Sequence, residues 1–179
     1  MEIEITSLPD LLLLKNSIFQ DNRGCFYKAF NRELFAKNEL DADFKESYYS
    51  VSHKNVIRGM HFQTPPFDHT KLVYVNQGTI LDVILDLRKT SPTYGHSASF
   101  DLNAQNGQAL YIPKGMAHGF CAKEDNTIVN YLQTSVYSKD NDSGILFNSF
   151  NFDWQIDHPI VSERDLSFIS FQQFKSPFE

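Results

Sequence analysis

Short apolar runs separated by turn residues follow one another from residue 56 onward, and they predict β-strands. The runs cover residues 56–62, 71–76, 79–87, 97–102, 109–112, 119–122 and 127–137. Gln77-Gly78 has the composition of a hairpin turn, and so does the segment 91–95, which contains Pro92 and Gly95. Turns that recur about every ten residues are typical of an all-β sandwich or barrel. We therefore predict an all-β fold.

The first 55 residues and the C-terminal tail contain shorter elements. Their composition predicts two short strands within residues 1–20, a turn over 20–24, strand-like segments over 25–30 and 44–51, and a helix-like tail over 162–169. Asn31 can cap a short helix that runs to Asn38, because an Asn side chain accepts hydrogen bonds from the first free backbone N–H groups. No repeat or linker interrupts the chain, so residues 1–179 are predicted to form one domain.

The segment from Arg58 to Gln63 places a cation, a glycine and an imidazole in an otherwise apolar run. In a regular strand, alternate side chains point to the same face. The sequence therefore predicts Arg58, Met60 and Phe62 on one face, with Gly59, His61 and Gln63 on the other. A lone His in such a run is usually a structural residue at the edge of a β-core, and only its neighbours in the rest of the chain favour a catalytic role.

Composition and charge exclude several classes of protein. The chain has 179 residues, of which 41% are hydrophobic and 21% charged, as in ordinary globular domains. No apolar run approaches the roughly 20 residues that span a bilayer, and the acidic start Met1-Glu2 is unlike a signal peptide. We expect no membrane association and a cytoplasmic location. The formal net charge is -6 without a basic block, which argues against nucleic-acid binding.

The pattern Gly107-x5-Pro113-x-Gly115-x2-His118 resembles the second signature of the cupin family. This resemblance implies a jelly-roll barrel, in agreement with the predicted strands. In metal-binding cupins, an earlier His-x-His pair and a Glu supply further ligands. The corresponding segment here reads His61-Phe62-Gln63, and no Glu follows within ten residues. One His and one Gln make a poor transition-metal site, so we expect no metal and no cofactor.

A longer series of segments is similar to the dTDP-4-dehydrorhamnose 3,5-epimerases, in the same order and nearly end to end. The matching segments are 21–24, 55–63, 71–73, 82–83, 86–95 and 110–120, followed by Tyr131, Tyr137-Ser138 and Trp154. The resemblance implies a cofactor-independent epimerase of a nucleoside-diphosphate 4-keto-6-deoxy sugar. In such a sugar the C4 carbonyl acidifies the hydrogens on C3 and C5. Inversion then needs a base on one face, stabilisation of the enolate, and an acid on the opposite face.

The resemblance assigns catalytic roles to four residues. His61 matches the base, Lys71 the cation beside the developing C4 oxyanion, and Tyr131 the acid on the far side. Asp165 matches the carboxylate that orients the base. Because Ser162-x-x-Asp165 is also a helix capping box, Asp165 has either role at this stage. Taken alone, Lys71 would be a solvated strand lysine and Tyr131 a half-buried strand tyrosine.

The resemblance also implies a substrate-binding set: Arg23, Lys28, Tyr48, Arg58, Gln63, His118, Tyr137, Asp142 and Arg164. The arginines suit a diphosphate because a guanidinium donates two hydrogen bonds at once, and Tyr137 matches the aromatic that stacks on the base. Asp142 stands where the family usually has Glu, and Arg164 where Lys is common.

The nucleotide-reading segments depart further from the family. Lys28 replaces a Glu, and Glu46-Ser47-Tyr48 replaces Gln-Asp-Asn. A carboxylate accepts a hydrogen bond from N3–H of thymine, whereas a lysine cannot accept one. The alternative substrates are therefore CDP- or GDP-linked ketosugars with the same chemistry.

Other readings of the chain remain open. An epimerase that acts at C3 only or at C5 only would use the same base and acid. A metal-dependent cupin oxygenase or isomerase and a non-catalytic sugar-nucleotide binding module are further alternatives. The family resemblance also implies a homodimer that exchanges N-terminal strands, in which Arg23 and Lys28 would serve the partner's pocket.

Overall fold

The computed structural model describes residues 1–179 as thirteen strands and three short helical segments. The strands are β1 (Glu2–Ile5), β2 (Leu12–Lys15), β3 (Ile18–Asp21), β4 (Gly24–Tyr27), β5 (Glu46–Ser52), β6 (Ile57–Gln63), β7 (Lys71–Gln77), β8 (Thr79–Asp86), β9 (Ser97–Asn103), β10 (Gln108–Ile112), β11 (Met116–Ala122), β12 (Thr127–Gln133) and β13 (Asp142–Gly144). The helical segments are α1 (Arg32–Lys37), α2 (Glu163–Leu166) and a 3-10 turn, α3 (Phe171–Gln173). The predicted all-β class is confirmed.

Two antiparallel sheets form the body of the molecule. The six-stranded sheet has the order β1-β2-β10-β7-β12-β5, and the five-stranded sheet has the order β13-β6-β11-β8-β9. Their facing sides share one apolar core, in which Val73 and Leu110 of the first sheet pack with Ile84 and Phe120 of the second. Burial of these alternate positions between two sheets is what the period-two pattern of the sequence predicts.

The C-terminal third of the chain covers the outer side of the five-stranded sheet. Met60 and Leu85 of that sheet pack in a second core with Phe147, Trp154 and Phe178. The Trp154 Nε1 atom donates a hydrogen bond to the Phe147 carbonyl at 2.8 Å, which satisfies its polar atom inside this core. This covering segment contains α2, which lies against β6.

Several element boundaries differ from prediction. The segment predicted over 25–30 ends as a strand at Tyr27, the run 127–137 ends at Gln133, and the helical tail is reduced to Glu163–Leu166. The short edge strand Asp142–Gly144 was not predicted. Its three residues have no apolar pattern, and only pairing with β6 makes them a strand. The capped helix is confirmed, since the Asn31 side chain accepts from the N–H groups of Glu33 and Leu34.

The hairpin of β3 and β4 forms a separate two-stranded sheet. Phe19 and Phe26 pair across it but remain 65% and 58% exposed. An exposed apolar patch on a soluble protein often marks a site that binds another molecule. The predicted homodimer and the predicted single domain both stay predictions. None of the helices is long and apolar enough to cross a membrane.

A bulge in β6 changes which side chains share a face. His61 pairs with His118 and Arg58 pairs with Phe120, so two residues of β6 stand opposite Gly119 alone. One extra residue reverses the alternation on one side of the bulge. Arg58 and His61 therefore line one cavity, whereas Met60 is fully buried in the second core. The predicted sharing of a face by Arg58 and Met60 is wrong because it assumed a regular strand.

Glycines make this bulge possible. A Cβ atom at Gly119 would lie 2.7 Å from the Met60 sulfur and 2.9 Å from the Arg58 carbonyl oxygen. Gly59 has a φ of +136° and its added Cβ would lie 2.5 Å from the Gly119 Cα. Backbones this close admit no side chain at either position.

Candidate active site

A cavity of about 520 Å³ opens between the two sheets. Ten of the thirteen predicted site residues line it: Tyr48, Arg58, His61, Gln63, Lys71, His118, Tyr131, Tyr137, Asp142 and Arg164. Asp165 lies behind the wall and contacts His61, while Arg23 and Lys28 lie elsewhere on the chain. The structure thus brings together residues that are spread over more than a hundred positions of the sequence.

His61 and Asp165 form a hydrogen-bonded pair at one wall. The Nε2 atom of His61 lies 2.8 Å from Oδ1 of Asp165, and the Gly59 N–H donates to Oδ2 at 3.1 Å. Burial lowers the pKa of His61, and the hydrogen bond and negative charge of Asp165 oppose this shift. Burial acts to raise the pKa of Asp165, but the hydrogen bonds that it accepts lower it overall. At neutral pH the pair is therefore a neutral imidazole held by a carboxylate.

The two readings of Asp165 turn out to be compatible, because they use different atoms. The Asp165 backbone N–H donates to the Ser162 hydroxyl at 3.1 Å, which caps α2. The carboxylate oxygens bind His61 and the Gly59 N–H instead. The ring of Phe168, one turn further along, meets the ring of His61 edge-on at 5.7 Å and limits its rotation.

Lys71 begins β7 and is 8% exposed, so it is not an ordinary solvated lysine. Its Nζ atom donates to the His61 carbonyl oxygen at 3.3 Å. Burial lowers the pKa of Lys71 to about 8, although the charges of Asp142 and Asp82 act to raise it. The group therefore carries a positive charge at neutral pH, in a place where one hydrogen bond leaves further N–H donors available.

Tyr131 lies on β12 of the other sheet, and it is 7% exposed. Its hydroxyl lies 3.1 Å from the Ser50 hydroxyl, and its ring stacks on Tyr48 with centroids 4.8 Å apart and planes inclined by 18°. Burial raises the pKa of Tyr131 above its usual value, so the hydroxyl keeps its proton at neutral pH. His61 and Tyr131 thus belong to opposite sheets and line the same cavity.

His118 is positioned by a second buried carboxylate. Its Nε2 atom lies 2.5 Å from Oδ1 of Asp82, and the two residues are 4% and 0% exposed. The ring of His118 also meets the ring of Tyr131 at 6.1 Å. His118 lies within β11 rather than in a turn, and it lines the cavity.

Two arginines among the lining residues supply positive charge. Arg58 donates to the Ser52 hydroxyl and the Val51 carbonyl, both at 3.0 Å. Arg164 forms an ion pair with Asp142 at 2.6 Å and lies over the Phe168 ring at 5.0 Å. Both guanidinium groups keep unused donors, which suits them to bind phosphate oxygens.

Gln63 has a structural function in addition to lining the cavity. Its Nε2 atom donates to the Phe67 carbonyl at 2.9 Å and the Val136 carbonyl at 3.2 Å, and its Oε1 atom accepts from the Ser138 N–H at 2.7 Å. Both ends of the amide are engaged within the chain. Gln63 therefore holds the loop that carries Tyr137 in place.

The two N-terminal cations lie away from the cavity. Arg23 is at the tip of the β3–β4 hairpin, where its side chain is 86% exposed and pairs with Asp21 at 2.6 Å. Lys28 is exposed directly after β4. Within one chain, neither residue reaches the other predicted contacts.

The predicted set of site residues leaves out six residues that line the cavity: Glu46, Ser50, Phe62, His69, Phe120 and Gln133. Glu46 and Ser50 flank Tyr48 at alternate positions of β5, so the period-two pattern of a strand would have found them. His69 gives no such signal, because it lies in an irregular connection before β7. No group of three or more His, Cys, Asp or Glu side chains has an arrangement that could hold a metal ion.

Known proteins match this chain along nearly its whole length. The sequence model of the dTDP-4-dehydrorhamnose 3,5-epimerase family matches residues 5–173. The chain is 36% identical over 170 residues to the dTDP-4-dehydrorhamnose 3,5-epimerase of Shigella flexneri, which covers 93% of this chain and 94% of the relative.

Solved structures of such epimerases superpose closely. The crystal structure of the enzyme from Sulfolobus tokodaii has a TM-score of 0.92 at 37% identity, covering 99% of this chain and 98% of its own. That of Bacillus anthracis, with TDP and PPi bound, has a TM-score of 0.91 at 38% identity, covering 94% and 98%. The cupin-type fold expected from the sequence is confirmed by these neighbours.

Proposed function

This chain belongs to the dTDP-4-dehydrorhamnose 3,5-epimerase family, and we propose that His61 is the base and Tyr131 the acid of its reaction. It is a sugar-nucleotide 3,5-epimerase of dTDP-rhamnose biosynthesis. The observation that carries the assignment is the placement of His61 and Tyr131 on opposite sheets, around one cavity that also contains Lys71.

The base acts first. His61 is neutral at physiological pH. One of its ring nitrogens therefore carries no proton, and that nitrogen can accept one from carbon. The Nε2 atom is occupied by Asp165, and this hydrogen bond turns Nδ1 toward the sugar as the acceptor. When the proton arrives from carbon, the Asp165 carboxylate stabilises the imidazolium that forms.

The negative charge then moves to the sugar's C4 oxygen. Lys71, which is 8% exposed, offers a buried ammonium group to this oxygen. Electrostatic stabilisation is strongest in such a low-dielectric setting, because the donor is in place before the charge develops. The alternative that Lys71 is a solvated surface lysine is wrong.

The acid completes the inversion. Tyr131 gives its hydroxyl proton to the carbon from the face opposite His61, so the configuration at that carbon is reversed. The same step at C3 and at C5 gives the 3,5-epimer. Only protons leave and return, so this scheme uses no redox cofactor.

For the nucleotide, we infer thymidine diphosphate. The relative from Bacillus anthracis holds TDP, and its fold matches this chain along 94% of the length. In this chain Glu46 accepts from the Tyr137 N–H at 2.9 Å, which sets a carboxylate beside the aromatic proposed to stack on the base. That carboxylate can accept from N3–H of thymine, the function that Lys28 cannot perform. CDP- and GDP-linked ketosugars stay the alternative substrates.

For the assembly, the proposal is a homodimer. The β3–β4 hairpin exposes Phe19 and Phe26 and carries Arg23 at its tip. If this hairpin packs on a second copy, the aromatic pair is covered and Arg23 and Lys28 reach the partner's cavity. The cytoplasmic location also stays a prediction.

Proton exchange tests the assignment directly. Wild-type protein in D₂O with dTDP-4-dehydro-6-deoxyglucose should introduce deuterium at both C3 and C5, as seen by NMR. His61→Asn should abolish exchange at both carbons while still binding dTDP in calorimetry. Tyr131→Phe should allow exchange without inversion. Exchange at one carbon only would identify a mono-epimerase, and undiminished exchange by His61→Asn would disprove the base assignment.

A further inference from the structure

Ser50 is the neighbour of the proposed acid and has no role in the scheme above. Its Oγ atom lies 3.1 Å from the Tyr131 hydroxyl oxygen, and either atom can be the donor. Ser50 is half-buried and lines the cavity from β5, between Tyr48 and Ser52. A hydroxyl in this place can both donate to the phenol oxygen and accept from water.

Two inversions on one sugar create a need that a single inversion does not have. In the first inversion His61 takes a proton from carbon and Tyr131 gives one to carbon, which leaves an imidazolium and a phenolate. Neither group is then ready for the second carbon. Before the second inversion, His61 must lose one proton and Tyr131 must regain one.

The two groups differ in their access to water. The His61 side chain is 29% exposed, so its imidazolium can release a proton to water in the cavity. Tyr131 is 7% exposed, and its ring is held by the stack on Tyr48 and the edge contact with His118. A ring held on two sides does not swing out to meet solvent. The phenolate therefore needs a neighbouring group to bring it a proton.

We propose that Ser50 returns the proton to Tyr131 between the two inversions. The Ser50 O–H bond breaks as the Tyr131 O–H bond forms, and at the same time Ser50 takes a proton from a water molecule. The hydroxide that this leaves is neutralised by the proton that His61 releases, so the cycle balances. The inference rests on the proposed function, because it takes Tyr131 as the acid. Ser50 thereby determines whether one or both carbons are inverted in a single binding event.

The test measures the two inversions separately. Enzyme in excess is mixed with dTDP-4-dehydro-6-deoxyglucose in D₂O, and samples are quenched at intervals. NMR then gives the amounts of the singly and the doubly inverted sugar. In Ser50→Ala the first inversion should keep its rate and the second should fall at least about tenfold, since positioned proton transfer contributes roughly 10²–10⁴-fold. The singly inverted sugar should then accumulate.

Matched variants separate proton transfer from packing. Thr and Val have nearly the same shape, so Ser50→Thr should restore the doubly inverted product and Ser50→Val should not, even if the alanine variant is unstable. Ser99→Ala, at an exposed position of β9 outside the cavity lining, should behave as wild type. An equal fall in both inversions, or an unchanged product ratio in Ser50→Val, would overturn the proposal. If Tyr131→Phe still inverts both carbons, the assignment of the acid fails instead.

Discussion

The Nε2 atom of His61 lies 2.8 Å from Oδ1 of Asp165, although 104 positions separate the two residues in the sequence. The contact joins a central strand to a helix of four residues near the C-terminus. It forms because the C-terminal segment packs along the outer side of the five-stranded sheet and delivers α2 to the bulge in β6. The bulge helps as well, since the Gly59 N–H binds the second carboxylate oxygen.

Asp165→Asn should slow proton exchange at both carbons by about 10²–10⁴-fold and shift its pH dependence. The carboxylate acts to raise the pKa of His61, so its removal lowers that pKa further. Because the base works only when neutral, the acidic limb of kcat/KM should move to lower pH. Ser162→Ala is the control: it removes the cap of α2, costs about 1 kcal/mol of stability, and should leave the limb in place. An unshifted limb in Asp165→Asn would contradict the pairing.

Lys71→Met should abolish activity but raise the free energy of unfolding at pH 7, by on the order of 1–3 kcal/mol. The pKa of Lys71 is about 8 in the folded protein against 10.5 in an unfolded chain. Between these values the unfolded chain binds more protons, so the stability of the wild type rises with pH. The advantage of Lys71→Met in urea denaturation should therefore shrink toward pH 10. An advantage that is equal at both pH values would show that burial does not penalise the charge.

The fall of kcat/KM at high pH should follow the loss of the proton from Lys71. The proposed oxyanion partner loses its charge as pH rises through about 8, so kcat/KM of the wild type should fall there. Lys71→Arg keeps a charge at every accessible pH, and its residual activity should persist to higher pH. If both proteins lose activity at the same pH, another group controls the limb.

Mixing two inactive variants tests the exchange of Arg23 between subunits. One variant carries Arg23→Ala and the other His61→Asn, and the two are co-expressed with different tags so that the mixed dimer can be isolated. If Arg23 serves the partner's cavity, the subunit that keeps His61 receives an intact Arg23, and one full site returns per mixed dimer. If Arg23 serves its own cavity, no site is restored. Wild-type protein that is monomeric in light scattering would contradict the dimer itself.

Gly119→Ala should destabilise the protein by about 1–3 kcal/mol, because a methyl group there would meet the Met60 sulfur at 2.7 Å and the Arg58 carbonyl at 2.9 Å. Urea denaturation gives the change. In the double variant with Met60→Ala, one of the two crowded contacts is relieved, so the cost should be less than the sum of the single costs. Strict additivity would show that the backbone contact alone limits the bulge.

Much of the architecture can be predicted from the sequence, for local reasons. The runs that became β7, β8 and β9 alternate or are continuously apolar, and turns with Gly and Pro separate them. The Asn31 cap follows from one side chain and its two nearest N–H groups. The prediction missed β13 because its sequence carries no such local signal. Other elements end at positions that contacts with neighbouring segments determine, without a turn residue to mark them.

The sequence by itself determined the fold class and the chemical types of the site, since period-two burial and the His, Lys and Tyr residues can be read along the chain. Only the tertiary structure decided how those residues meet. The bulge in β6 reversed the face of Arg58, the return of α2 paired His61 with Asp165, and the antiparallel pairing of β5 with β12 set Ser50 beside Tyr131. Each depends on contacts between distant segments, for which a local pattern of polar and apolar residues carries no information.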